Sequence, residues 1–148
     1  YHDVSRKTDK ANLTMLAGLG ERMYPAAIGY NRCKGFVSTI SNFAPELSYE
    51  LYQYGQEGDI PATRKALNAL DPYFDVMDEV LAKRKETSIM PDTRRGNPVY
   101  QALGKAALDY VGLTGGKVRL PMVGLTEEEK AKLEEALQKM GIEQNRAV

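Results

Sequence analysis

Small and polar residues follow two short apolar runs of this sequence, and they could form a ligand-binding site. Gly18 comes after the first run and leaves room for a substrate to pass close to the backbone. Glu21 lies three residues further on, and its carboxylate could accept hydrogen bonds from a ligand. Ser38 and Thr39 end the second run and add two hydroxyl groups. The pattern therefore indicates a site for a polar substrate.

The elements that must position these residues are two strands and two helices. The apolar runs at 13–17 and 35–39 are too short and too rich in β-branched residues for helices, so we interpret them as buried strands. Helix-forming residues follow each run, over 21–32 and from Pro45 onward. The order strand, helix, strand, helix predicts an α/β fold with a parallel sheet. Because ligands of such folds bind at the carboxyl ends of the strands, we expect the polar residues to meet there.

Each of these residues also has a purely structural interpretation. Gly18 can be an ordinary turn glycine. Glu21 can be a first-turn glutamate that the helix dipole favours. The hydroxyls of Ser38, Thr39 and Ser41 can cap the turn into the next helix. The residues taken alone leave both interpretations open.

The same residues resemble the last two βα units of the dihydrodipicolinate synthase and N-acetylneuraminate lyase family. Later segments resemble the C-terminal helical extension of that family, in the same order along the chain. The ordered set spans nearly the whole sequence. The matching segments are Gly-Leu-Gly-Glu at 18–21, Gly-Phe-Val-Ser-Thr at 35–39, Asn-Phe-Ala-Pro-Glu-Leu at 42–47, Glu-Gly-Asp at 57–59, Gly-Asn-Pro-Val at 96–99 and Lys-Val-Arg-Leu-Pro-Met at 117–122.

The resemblance implies an α/β fold, namely the C-terminal portion of a (β/α)8 TIM barrel followed by a C-terminal helical extension. The last two βα units would take residues 1–58 and the extension residues 59–148. A complete barrel typically has about 250 residues, so the chain cannot close one. The implied activity is that of a class I aldolase or lyase that forms a lysine Schiff base with pyruvate or a related 2-oxo acid. The resemblance implies no cofactor and no metal, and self-association as a homotetramer.

The resemblance also implies that the catalytic residues lie upstream of this chain. The family places its Schiff-base lysine on the sixth strand and a proton-relay tyrosine on the fifth, whereas this chain would begin in the helix after the sixth strand. A missing N-terminal part of the barrel is therefore the expected partner. Lys7 and Lys10 lie in a charged stretch without a strand to bury an amine. Because a nucleophilic lysine needs desolvation or a neighbouring cation, we interpret both as surface residues.

Substrate-binding roles follow from the resemblance for Gly18, Glu21, Val37 and Thr39. Glu21 matches an acidic residue, and Thr39 a serine, that bind the substrate in the sialate lyase branch. The main-chain carbonyl of Val37 matches one that points toward the Schiff-base amine in the synthase branch. Gly20 departs from both branches, which have an acidic residue there. The spacing is more similar to the branch of dehydratases and aldolases that act on sugar-derived keto acids.

Two alternative functions therefore stay open. One is a keto-deoxy sugar-acid dehydratase of the same family. The other is a non-catalytic helical scaffold or interaction module. Trapping of a 2-oxo acid on a lysine of the complete protein distinguishes the lyase from the scaffold.

Composition restricts the partners and the compartment. The 20 basic and 20 acidic residues give a formal net charge of zero, which argues against a nucleic acid or a membrane held by bulk electrostatics. No apolar run approaches the roughly 20 residues that cross a bilayer. Cys33 is the single cysteine and cannot form an internal disulfide. It fits a reducing compartment, so we expect a cytoplasmic protein.

For the predicted helix over 21–32, the sequence indicates which residues face inward and where its proline lies. Over 21–32 the residues Met23, Ala26, Ala27 and Tyr30 recur at steps of three and four. Pro25 is expected in the first turn, where a missing amide hydrogen has little effect. The helix that opens at Pro45 is expected to end at 55–58 because of its glycines.

The second half of the sequence predicts a helical layer. Asp59 is the expected cap of a helix that Pro72 kinks or breaks. A polar connection is expected over 83–95, followed by a helix capped by Asn97 and begun by Pro98. Thr126 and Glu129 have the spacing of a capping box. The predicted inward residues of the last two helices are Ala102, Leu103, Ala106, Tyr110, Leu133, Leu137 and Met140, and Gly112 and Gly141 are the predicted ends.

Other possible sites fail on their spacing. Thr-Gly-Gly-Lys at 114–117 lacks the glycine spacing of a phosphate loop and follows a helix, so we predict a turn. The carboxylates of Asp71, Asp75, Asp78 and Glu79 are interpreted as a solvated helix face rather than metal ligands. His2 and Cys33 are far apart and make no zinc set.

Overall fold

A computed structural model describes residues 2–7, 13–18, 20–31, 33–84, 99–120 and 122–145. The chain divides into two compact units, Tyr1–Ala69 and Leu70–Val148. None of the described helices combines the length and the apolar character that crossing a membrane requires. The boundary between these two units lies between residues 69 and 70. The predicted boundary between barrel and C-terminal extension, at 58/59, refers to the family's domain organisation and stays a prediction.

In the first unit, the part of the chain that the structure describes forms a two-stranded parallel sheet and four α-helices. Strand β1 (Leu16–Ala17) pairs with β2 (Gly35–Phe36) in the register Leu16 to Gly35 and Ala17 to Phe36. The predicted order of strands and helices and the parallel pairing are confirmed, although each strand has two residues, fewer than predicted. The elements are α1 His2–Lys7, β1 Leu16–Ala17, α2 Gly20–Asn31, β2 Gly35–Phe36, a 3₁₀ turn Ile40–Asn42, α3 Pro45–Glu57 and α4 Ile60–Asn68.

The buried face of α2 differs from the predicted one. Glu21, Tyr24 and Ala27 are buried, whereas Met23 is 44% exposed and Ala26 is also exposed. Only Ala27 of the predicted face is therefore confirmed, and the side chain of Tyr30 lies outside the described residues. Gly55 on α3 explains the difference, since a Cβ atom there would lie 2.6 Å from the ring of Tyr24. The missing side chain makes room for a tyrosine ring, and this ring sets the rotation of α2.

Hydrogen bonds hold Tyr24 in this position. Its hydroxyl donates to the carbonyl of Tyr52 at 3.1 Å and accepts a hydrogen bond from Gln56 Nε2 at 2.8 Å. Burial raises the pKa of Tyr24, although the hydrogen bond from Gln56 opposes the change. Tyr24 therefore stays neutral and joins α2 to α3.

Pro25 lies deeper in α2 than predicted. The helix begins at Gly20, so Pro25 is its sixth residue and not part of its first turn. A proline there has no N–H to donate to the carbonyl of Glu21, one turn earlier. The predicted start at Glu21 is only one residue late, and even from there Pro25 is the fifth residue, beyond a first turn of about 3.6 residues.

The predicted end of α3 and the predicted start of α4 are confirmed. Gly58 follows α3 in the left-handed region, with φ 76°. Asp59 caps α4, because its Oδ1 accepts a hydrogen bond from the N–H of Ala62 at 2.9 Å. The predicted break near Pro72 is also found, since α4 ends at Asn68 and the next helix begins at Asp71.

The described residues of the second unit form three helices: α5 Asp71–Lys83, α6 Val99–Tyr110 and α7 Glu127–Lys139. The capping box of α7 is confirmed, with Glu129 N–H donating to Thr126 Oγ1 at 3.2 Å and Thr126 N–H donating to Glu129 Oε2 at 2.8 Å. The predicted polar connection and the Asn97 cap lie largely outside the described residues. The buried side of these helices includes Val80, Leu81, Ala102, Leu103, Ala107, Tyr110, Leu133 and Leu137, whereas Ala106 and Met140, both predicted inward, are half-buried.

The predicted turn at 114–117 is an irregular loop that binds a carboxylate of its own chain. Asp109 Oδ1 accepts hydrogen bonds from the N–H groups of Gly115 and Gly116, at 2.9 and 3.1 Å. Lys105 Nζ donates to the carbonyl of Gly115 at 2.5 Å. Because Asp109 occupies these two N–H groups, the loop does not present them to an external phosphate.

An ion pair joins the end of α5 to the start of α7. Arg84 donates to Glu129 Oε2 at 2.7 Å and to the main-chain carbonyls of Val123 and Gly124, at 3.3 and 3.0 Å. The side chains of Arg84 and Glu129 are 14% and 8% exposed. The pair is therefore shielded from water, unlike the exposed pairs that Glu79 makes with Lys83 and Lys132.

The stability of the second unit is expected to fall in acid because of Glu129. Burial alone would raise the pKa of Glu129, but hydrogen bonds from Arg84 and from Thr126 outweigh it and lower the pKa below 4.5. A carboxyl whose pKa is lower in the folded state stabilises the fold above its unfolded pKa, and this contribution is lost as the pH falls through the folded pKa. Urea unfolding between pH 7 and pH values below 4.5 should show this loss.

The matched variant is Glu129→Gln, which does not titrate. Its free energy of unfolding should be lower at neutral pH and should approach that of the unchanged chain as the pH falls. Other carboxylates contribute to both curves, so the difference between the two curves is the measured quantity. A difference that stays constant over this pH range would contradict the assignment.

Candidate functional site

The carboxyl ends of the two strands lie side by side. The strands are parallel, and the N–H of Val37, just after β2, donates to the carbonyl of Ala17 at the end of β1, at 2.9 Å. Gly18 follows β1 in an exposed turn. The segments that carry Gly18 and Val37 therefore leave the sheet at the same edge, as the order of elements predicts.

Glu21 lies inside the first unit and is 3% exposed. It lies in the first turn of α2, where the helix dipole favours a carboxylate. Its Oε1 accepts a hydrogen bond from Ser48 Oγ at 2.8 Å and another from Ser38 Oγ. The structure thus places the carboxylate against two serines of the chain itself, and both hydrogen bonds use the same oxygen.

The two serines also interact with each other and with the turn after β2. Their Oγ atoms are 3.2 Å apart, and Ser38 Oγ accepts a hydrogen bond from the N–H of Ser41 at 2.8 Å. Ser38 therefore has the turn-capping role that its structural interpretation allows, and it binds Glu21 as well. We call Glu21, Ser38 and Ser48 the carboxylate–serine cluster.

Ser48 is the member of this cluster that sequence reasoning missed. It is the fourth residue of α3 and is buried. The sequence does contain a signal, because Ser48 lies three residues before Leu51 and seven before Gly55, on the face of α3 that packs inward. A hydroxyl in such a row needs a buried partner, and Glu21 is that partner.

Val37 and Thr39 lie on either side of Ser38 and are more accessible. Val37 is 61% exposed, and Thr39 is half-buried. The side chain of Thr39 makes no capping hydrogen bond to the 3₁₀ turn that follows it. Gly20 lies close to the Val37 carbonyl, since a Cβ at this glycine would be 3.5 Å from that oxygen. The φ of Gly20 is +69°, a conformation that residues with side chains rarely adopt.

An open groove of about 650 Å³ runs between β2 and α3. Hydroxyls line one part of it and apolar or aromatic side chains the rest. Tyr52, whose ring stacks on Tyr24 and Tyr49, is one of the aromatic residues that line this groove. The lining residues are Leu16, Gly35, Phe36, Ser38, Ser41, Pro45, Glu46, Ser48, Tyr49 and Tyr52.

Two other reactive groups are not members of the carboxylate–serine cluster. Cys33 is buried, and burial raises the pKa of its thiol. Lys7 is exposed on α1. Among the residues that the structure describes, no three histidine, cysteine, aspartate or glutamate side chains come together as metal ligands would.

The architecture and the comparisons with known proteins together identify the class of protein. Parallel strands that alternate with helices, followed by a helical layer, are what part of a (β/α)8 enzyme would contain. The crystal structure of dihydrodipicolinate synthase from Oceanobacillus iheyensis superposes with a TM-score of 0.73 at 23% identity, over 95% of this chain and 42% of that one. At this identity the likeness shows the fold alone.

Sequence comparison shows the family. The model of the dihydrodipicolinate synthetase family matches residues 2–140. The 4-hydroxy-tetrahydrodipicolinate synthase of Archaeoglobus fulgidus is 36% identical over 107 residues, which are 72% of this chain and 31% of that protein. That of Methanocaldococcus jannaschii is 30% identical over 140 residues, 94% of this chain and 41% of that protein. The chain belongs to the dihydrodipicolinate synthetase family, and it spans less than half the length of these relatives.

Proposed function

We propose that this chain is the C-terminal part of a class I lyase or aldolase that forms a lysine Schiff base with pyruvate or a related 2-oxo acid. Family membership supports the proposal, and so does the common edge at which Gly18 and Val37 follow their strands. The lysine and the proton-relay tyrosine would come from the part of the barrel that precedes these residues. The chain itself would supply the wall around the distal part of the substrate.

The proposed chemistry takes place between the lysine amine and the substrate, with the tyrosine relaying protons. The amine adds to the ketone carbon of the 2-oxo acid, water leaves, and a protonated carbon–nitrogen double bond forms. This iminium accepts the electron pair of the bond between the adjacent carbon and the next one when that bond breaks, which gives the enamine. In the synthetic direction the iminium loses a proton from the adjacent carbon, which the upstream tyrosine would relay, and the resulting enamine forms the new carbon–carbon bond. The residues described here take no part in these covalent steps.

The proposed wall consists of Gly18, Glu21, Val37 and Thr39. Gly18 would let the substrate approach the backbone, and the hydroxyl of Thr39 would bind its distal part. The carbonyl of Val37 would accept a hydrogen bond from the lysine amine or from a water molecule. Since Oε1 of Glu21 already has two donors, a hydrogen bond to a substrate hydroxyl would fall to Oε2.

The missing part of the barrel is the proposed partner of the groove between β2 and α3. Leu16 and Tyr49 line the groove and are more than half exposed, as is Val37 next to it, and β2 pairs with β1 alone among the described strands. An uncovered apolar surface next to a strand edge favours the addition of another strand. We propose that upstream strands and helices of the same polypeptide cover the groove, and that the complete protein is a cytoplasmic homo-oligomer.

Reductive trapping tests the proposed function. The complete polypeptide is mixed with pyruvate and borohydride, which reduces the imine to a stable secondary amine, and its intact mass is measured. We expect one adduct per chain when both reagents are present and none when either is left out. A complete, folded protein that gains no mass would exclude the Schiff-base lyase and favour the scaffold.

A further inference from the structure

We propose that Ser48 is a positioning residue, because the carboxylate–serine cluster fixes the peptide group that presents the Val37 carbonyl. This inference deepens the proposed function and rests on it. The carbonyl of Val37 belongs to the peptide bond between Val37 and Ser38. Whatever holds Ser38 therefore decides where that oxygen points.

The Ser38 end of this peptide is held by three groups. Its hydroxyl donates to Glu21 Oε1, lies 3.2 Å from Ser48 Oγ and accepts a hydrogen bond from the N–H of Ser41 at 2.8 Å. Ser48 in turn donates to the same oxygen of Glu21 at 2.8 Å. A hydrogen bond to a buried carboxylate is stronger than one between neutral groups. Glu21 thus links the start of α2 and the start of α3 to the residue after Val37.

The Val37 end of this peptide group is held by the sheet, and a glycine leaves its carbonyl oxygen accessible. Its N–H donates to the Ala17 carbonyl at 2.9 Å, which fixes the residue on β1. Gly20 lies over its carbonyl, where a Cβ would be 3.5 Å from the oxygen. Any side chain longer than a methyl group at this position could cover the acceptor. The surroundings of Val37 therefore orient its carbonyl and leave it accessible.

Ser48 is the member of the cluster that neither belongs to the proposed wall nor forms part of the Val37 peptide group. Ser48→Ala removes one of the two donors to Glu21 and frees the carboxylate to turn. The Ser38 hydroxyl then loses the geometry that its carboxylate partner imposes, and the Val37 peptide gains freedom. The carbonyl would orient the lysine less well at the moment of imine formation.

The test is the rate at which the complete protein is trapped by pyruvate and borohydride. We expect Ser48→Ala to lower the maximal trapping rate about tenfold, the equivalent of one buried hydrogen bond. The pyruvate concentration for half-maximal trapping should change little, because the cluster acts on the amine and not on pyruvate. Ser48→Thr keeps the hydroxyl and should recover most of the rate.

The matched control is Thr63→Val. Thr63 is buried in α4, and its Oγ1 donates to the carbonyl of Asp59 at 2.6 Å, so the variant also removes one buried hydroxyl. It should be trapped at the rate of the unchanged protein. A Ser48→Ala protein trapped at the unchanged rate, or a Thr63→Val protein slowed equally, would overturn the positioning role and leave the proposed lyase intact.

Two further outcomes are also decisive. If the unchanged protein is not trapped at all, the proposed function fails and the positioning role fails with it. If Ser48→Ala does not fold, Glu21→Gln tests the positioning role instead. The amide oxygen in this variant can still accept hydrogen bonds from both serine hydroxyls, but it carries no charge. We expect a rate about threefold lower for Glu21→Gln, and an unchanged rate would overturn the inference.

Discussion

Replacing Gly115 by alanine is expected to destabilise the second unit strongly. A Cβ at this position would lie 1.9 Å from the carbonyl oxygen of Lys105 and 2.7 Å from its carbonyl carbon. Both atoms belong to the backbone of α6, so no side-chain rotation can relieve the overlap. The loop must move away, and the hydrogen bonds from its N–H groups to Asp109 are then lost.

The expected loss of stability combines these two effects. Overpacking typically costs about 1–3 kcal/mol, and the loss of hydrogen bonds to a carboxylate adds to it. A total of about 3 kcal/mol or more would lower the urea midpoint by roughly 2 M. Urea unfolding of the purified protein, followed by circular dichroism, measures the shift.

Gly124→Ala is the control for this prediction. It lies in the same unit, and the nearest atom to its added Cβ would be Val118 Cγ2 at 3.9 Å, an ordinary contact. Its free energy of unfolding should change by no more than about 0.5 kcal/mol, the range of neutral surface substitutions. Its urea midpoint should therefore stay close to that of the unchanged protein. If Gly115→Ala and Gly124→Ala unfold at the same urea concentration, the close contact between the loop and α6 is wrong.

Replacing Arg84 by alanine is expected to have the second largest effect. The substitution leaves Glu129 with a shielded charge and takes two donors from the carbonyls of Val123 and Gly124. Removing one partner of a buried ion pair costs about 3–5 kcal/mol. Because Arg84 is partly accessible, we expect about 3 kcal/mol, near the lower end of that range.

Lys83→Ala is the matched control, since it removes the neighbouring positive charge. Lys83 pairs with Glu79 and Glu128 at the surface, where water screens the charges. Its urea midpoint should therefore change little. Comparable losses in Arg84→Ala and Lys83→Ala would show that net charge, and not the shielded pair, stabilises this unit.

Local signals predicted much of the fold. The Thr126 and Glu129 spacing, the Asp59 cap and the break at Pro72 depend on a few neighbouring residues, and all three are found. The inward face of α2 was wrong because it depends on a distant residue. Tyr24 is buried only because Gly55, 31 positions later, lacks a side chain. Periodicity within one helix does not contain that information.

The sequence predicted where the candidate site lies but not how its side chains are buried. The pattern of strands brought the residues after β1 and β2 to one edge of the sheet. It did not predict that Glu21 would be enclosed, because its partner Ser48 lies 27 residues away on another helix. The substrate-binding roles of Gly18, Glu21, Val37 and Thr39 stay predictions. They depend on groups that the rest of the polypeptide would supply.

The position of the trapped adduct tests the central claim most directly. After reduction with pyruvate and borohydride, the complete protein is digested, and the modified lysine is located by peptide mass spectrometry. We predict a single modified lysine that lies upstream of Tyr1. Modification of Lys7, Lys10 or any other lysine among these 148 residues would contradict the account.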